Sequence, residues 1–93
     1  MDSIEINGMT FRRDVIELLQ GKLLLIQGQN GMLGCGYFNL AVADKLNSAM
    51  AIVTGVQCYD DMLNKEVVGV SARAAEMGVV PGMTGREALT IMK

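Results

Sequence analysis

Met32-Leu-Gly-Cys-Gly-Tyr-Phe-Asn39, then Leu40-Ala-Val-Ala-Asp-Lys-Leu46, then Ala49-Met-Ala-Ile-Val-Thr54: a short apolar run, a segment of helix formers and a second apolar run follow in order. Asn39 is suited to cap a helix whose apolar side runs through Val42, Ala43 and Leu46, and Asn47 is suited to stop it. The run from Ala49 to Thr54 has the pattern of a strand buried on both faces. About a dozen residues separate the two apolar runs, close to the shortest crossover that parallel strands allow, so this stretch predicts a right-handed βαβ unit.

Toward residue 1, Lys22 to Gln27 is nearly continuous apolar chain ended by Gly28. It predicts a strand joined to the Met32 strand through Asn30-Gly31, a pair that tolerates the positive φ of tight hairpins. Before it, Ile4 and Ile6 alternate with polar neighbours and Asn7-Gly8 is a turn pair. Phe11 to Leu19 is β-capable, although its spacing also suits a helix, and we read a hairpin. In the other direction, Asp60-Asp-Met-Leu63 reads as one helical turn. Val67, Val70, Ala74 and Met77 then recur at three- and four-residue spacing, which predicts a helix capped by Asn64 and ended by Gly78. Thr84-Gly-Arg-Glu87 is a capping box opening a final helix that buries Ala88, Leu89, Ile91 and Met92.

The fold class expected is therefore α/β (α+β), a mixed β-sheet with a βαβ unit and short helices packed on it. The chain reads as a single domain over residues 1–93, with an N-terminal β region (1–21) and a compact core (22–93). Glycine and the apolar residues apart from tyrosine make up about 60% of the 93 residues, where roughly 45–50% is usual. A chain this small cannot bury that surplus alone, so a homo-oligomer is expected.

A net charge of −2 with scattered Lys and Arg argues against nucleic acid as partner. The acidic start does not suit a signal peptide, and the uncharged apolar runs, Leu23 to Ile26 among them, are too short to span a membrane, so a cytoplasmic location is expected. Two cysteines and no histidine cannot make a four-ligand zinc site; no metal and no cofactor is expected, and both thiols should be free.

Gly34-Cys-Gly36-Tyr-Phe-Asn39 is glycine-rich, but Asn39 stands where a dinucleotide fingerprint needs its last glycine, and no Gly-Lys-Ser/Thr follows. Cys35 reads first as a small buried strand residue and only second as a nucleophile, since a thiolate needs a cation, a helix N-terminus or a base beside it. Asp60 and Asp61 point apart on a helical turn, which suits one cap and one solvated carboxylate better than a catalytic pair. Arg86 opens the final helix beside Thr84, in reach of an anion or simply exposed next to a structural capping box. If a site exists, the carboxyl ends of the parallel strands gather its candidates: Cys35 as nucleophile or wall, with Asn39, Thr54 and Arg86 as ligand-binding residues for a small anion. No residue pattern fixes a reaction, so self-association is the first reading and an anion-binding protein or enzyme the second.

Three blocks carry a resemblance: Gly31-Met-Leu-Gly-Cys-Gly-Tyr-Phe-Asn39, Ala51-Ile-Val-Thr-Gly-Val56 followed by Asp61-Met-Leu-Asn64, and Gly82-Met-Thr-Gly-Arg-Glu-Ala-Leu89. In order and spacing, from about residue 22 onward, the chain resembles the YunC-like family, a small bacterial and archaeal domain of unknown function. The resemblance implies a compact α/β domain whose N-terminal strands pair between subunits to make a tetramer.

Overall fold

A computed structural model describes residues 2–93. Its ten elements are β1 (Asp2–Ile6), β2 (Met9–Leu18), β3 (Gly21–Gln27), β4 (Met32–Gly34), α1 (Leu40–Lys45), β5 (Met50–Ile52), α2 (Tyr59–Asn64), β6 (Gly69–Val70), α3 (Ala72–Glu76) and α4 (Gly85–Ile91). The strands form one six-stranded sheet in the order of the sequence. Every neighbouring pair is antiparallel except β4 and β5, which run parallel with Met32 opposite Met50 and Gly34 opposite Ile52. The mixed sheet and the strand–helix–strand unit read from Met32 to Thr54 are both present.

The helix ends follow from their cap residues. The Asn39 side chain accepts from the Ala41 N–H at 2.8 Å and starts α1. Asn47 then takes φ 56°, and Ser48 N–H donates to Ala43 C=O while Asn47 N–H donates to Asp44 C=O, the paired bonds of a left-handed helix stop. Gly78, at φ 102°, ends α3 by the same two bonds, from Val79 to Ala74 and from Gly78 to Ala75. In α4 the capping box is complete: Glu87 N–H donates to Thr84 Oγ1 at 3.2 Å and Thr84 N–H to Glu87 Oε1 at 2.9 Å. Thr84→Ala removes half of this exchange and is expected to cost about 1 kcal/mol, read as a lower urea midpoint with unchanged slope; Thr84→Ser should restore most of it.

Two expectations are corrected. Residues 64–77 do not form one helix: Asn64 is the last residue of α2, and the chain extends through Val68 to Val70 as an edge strand on β5. Val68 N–H donates to Ile52 C=O and Ser71 N–H to Met50 C=O, while Leu40 Cδ1 lies 2.8 Å from where a Cβ on Gly69 would sit. Only after Ser71 caps it does the helix begin. The three- and four-residue spacing therefore joined strand residues to helix residues.

The hairpin between β3 and β4 exists, but positive φ is not what its glycines supply. Among the described residues the Asn-Gly pair with positive φ is Asn7-Gly8, at 52° and 80°. Gly28 and Gly31 instead make room for the far end of the chain, with the Met92 carbonyl oxygen 2.7 Å from a Cβ position on Gly28 and Met92 Sδ 2.6 Å from that on Gly31.

The main core lies on one face of the sheet, where Phe11, Leu24, Ile26, Leu33 and Val53 meet Met62 of α2 and Leu89 and Met92 from α4 and its end. A smaller cluster of Ala43, Met50 and Ile52 covers the other face around α1. No helix among the described residues is long and apolar enough to cross a membrane.

Candidate functional site

Parallel β4 and β5 direct their carboxyl ends to one side of the sheet, where residues 35–39 and 53–57 leave it. Cys35 prolongs the ladder with its main chain and its side chain together. Its N–H donates to Leu24 C=O at 3.2 Å, and its Sγ accepts from Leu24 N–H at 3.3 Å and points toward Lys22 C=O at 4.0 Å. The thiol is buried and free, whereas Cys58, which precedes α2, is exposed. Phe38 folds back over the strand end: its N–H donates to Cys35 C=O, and its ring lies 2.5 Å from a Cβ position on Gly34.

Beside Cys35 opens a pocket of about 280 Å³ lined by Lys22, Cys35, Gly36, Tyr37, Gly55 and Val56. A second hollow of about 300 Å³ adjoins it, sharing Lys22 and Val56 and adding Gly21 and Gln57. Lys22 is the charged residue of both and makes no ion pair among the described residues. The Tyr37 ring forms a wall, with its hydroxyl 2.9 Å from a Cβ position on Gly21.

Of the four residues proposed from the sequence, Cys35 lines this pocket and Thr54 stands at its edge, its Cγ2 3.4 Å from a Cβ position on Gly36. The Asn39 carboxamide oxygen is engaged in capping α1, and the residue lines a different hollow, with Phe38, Val42 and Leu46. Arg86 belongs to the first turn of α4, next to Gly85, which packs against Leu33 and Met62; it does not line the Cys35 pocket. Asp61 takes the helix-end role, accepting from Gln57 N–H at 3.1 Å. Among the described residues no group of three His, Cys, Asp or Glu could hold a metal ion.

Sequence reasoning missed Lys22 and Tyr37 as neighbours. The signal was available in the hairpin: Gln27 opposes Met32 and Leu25 opposes Gly34, and the same count brings Lys22 beside Tyr37.

Comparison with known proteins bears out the resemblance. The sequence model of the family described as Domain of unknown function (DUF1805) matches residues 34–92. The Uncharacterized protein YunC of Bacillus subtilis (strain 168) is 28% identical over 93 residues, covering 96% of this chain and 92% of that protein. The crystal structure of a protein of unknown function from Thermoplasma acidophilum superposes with a TM-score of 0.94 at 35% identity, covering 99% of this chain and 90% of that one. None of these descriptions states a reaction.

Proposed function

We propose, for a chain that belongs to the DUF1805 family, that its activity is self-association through the open edge of β2, building a homo-tetramer. One observation carries the reading: among the described residues, the second half of β2 has an unpaired edge and exposed aliphatic side chains in the same place. β1 begins at Asp2 opposite Arg13, so residues 14–18 of β2 have β3 on one side and no described strand on the other. There Val15 is 45%, Ile16 54% and Leu18 39% exposed, and Leu19, in the turn that follows, is 99% exposed.

The register follows from main-chain bonding. Leu24, opposite Val15, spends both its N–H and its C=O on Cys35. Opposed residues in an antiparallel ladder alternate between bonded and unbonded pairs, so the N–H and C=O of Val15 point to the open edge, as do those of Glu17. A second copy related by a two-fold axis through Ile16 sets Val15 against Glu17 of that copy and satisfies all four groups twice over. Sliding so that Glu17 faces Glu17 brings like charges together. Ile16 and Leu18 then double into an apolar strip on one side of the joined ribbon, and a second ribbon packed on it completes the tetramer. Two free thiols, one of them exposed, suit a reducing cytoplasm.

Light scattering tests the association: a dimer or tetramer is expected at micromolar concentration, and a folded monomer overturns it. In a Cys58→Ser background, Ile16→Cys should give a disulfide-linked dimer on mild oxidation, because unbonded opposed residues have Cα atoms about 4.5 Å apart, within disulfide reach. Val15→Cys should not. An intact assembly with no Ile16 cross-link overturns the register and leaves the association standing.

A further inference from the structure

We propose that the pocket at the carboxyl ends of β4 and β5 binds a small organic carboxylate, with Lys22 as its counter-ion and Gly36 as the opening in its wall. This goes beyond self-association and rests on different residues. Ten of the eleven glycines either take a positive φ or would bring a Cβ within 3.0 Å of a neighbour. Gly36 does neither: its φ is ordinary, and a Cβ there would meet only Thr54 Cγ2, at the ordinary contact distance of 3.4 Å. Folding does not require a glycine at this position. What a side chain at 36 would change is the pocket that Gly36 lines.

Charge and shape narrow the ligand. Lys22 gives the cavity its one charged group, a cation without an ion-pair partner among the described residues. Tyr37 and Val56 supply apolar walls, and Cys35 has its thiol engaged with the β3 main chain. A volume of about 280 Å³ lies just below the usual span of ligand cavities, roughly 300 to 1,000 Å³, and limits the ligand to a small molecule. The location, at the carboxyl ends of adjacent parallel strands, is where open sheets place their ligands. A short aliphatic chain ending in a carboxylate satisfies all of these, with the anion on Lys22 and the chain against Tyr37 and Val56.

Butyrate and its neutral isostere butyramide are the probes, followed through the amide signals of Gly36 and Gly55 by nuclear magnetic resonance. Butyrate should shift both signals saturably with a Kd of order 1 mM, and butyramide should bind more weakly by up to about fivefold, the difference one solvent-exposed charge pair makes. Lys22→Gln should reduce butyrate to the butyramide level, and Gly36→Leu, in a protein whose remaining spectrum is native, should abolish both. Absence of saturation with butyrate, equal affinity for the two probes, or butyrate binding unchanged in Lys22→Gln each overturns the proposal.

Discussion

Gly85→Ala is expected to lower folding stability by about 3 kcal/mol, the upper range for forcing one methyl into a packed core. Gly85 is the first residue of α4 and lies directly against α2: a Cβ there would overlap the Met62 carbonyl oxygen and sit 2.8 Å from Leu33 Cδ2. The obstacle is main chain, so it cannot rotate away. Gly85 is also held from behind, its N–H donating to Lys65 C=O at 2.9 Å. A chain of 93 residues has on the order of 5–14 kcal/mol of stability to lose. Urea unfolding of Gly85→Ala beside Gly36→Ala makes the measurement specific, since the same methyl at position 36 meets only an ordinary contact. Equal midpoints for the two variants would refute the packing account.

Ser71→Ala should cost a similar amount, about 3 kcal/mol, by a polar route. The residue is fully buried, and its Oγ donates to Ser48 C=O at 2.7 Å while accepting from Met50 N–H at 2.9 Å and Ala74 N–H at 3.3 Å. One hydroxyl thus fastens the start of β5 to the start of α3. Loss of a helix cap costs about 1 kcal/mol, and each buried main-chain group left without a partner adds about 1–3 kcal/mol. Thermal unfolding reads the total. Hydrogen exchange at Met50 reads the mechanism, and an unchanged exchange rate there would show that Met50 N–H does not depend on Ser71.

How much of this molecule the sequence discloses depends on how far each cause lies along the chain. The Asn39 cap, the Asn47 and Gly78 stops and the Thr84–Glu87 capping box act within a few residues, and each is legible from residue type and spacing. The parallel pairing of β4 and β5 is legible because the crossover length leaves little choice. Position 69 is different: it is a strand residue because Leu40 presses on it and β5 offers it a ladder, neither of which is visible in local periodicity. Likewise Gly28 and Gly31 answer to Met92, more than sixty residues away in numbering. The candidate site divides along the same line. Cys35 and Thr54 follow from where the parallel strands end, Lys22 needs the hairpin register as well, and Arg86 is assigned by helix packing that no motif encodes.

The brevity of β6 bears on aggregation. A sheet invites fibre growth through long, flat, uncovered edges. Here one outer edge is a strand of only two residues, Gly69–Val70, too short to template another chain. The opposite outer strand, β1, carries Glu5, exposed, along its length. Among the described residues the remaining open stretch, on β2, lies between the pairing of Asp2 with Arg13 and the turn into β3. A two-fold pairing there consumes the same stretch on both copies and offers no new edge to a third, so strand addition ends with the pair.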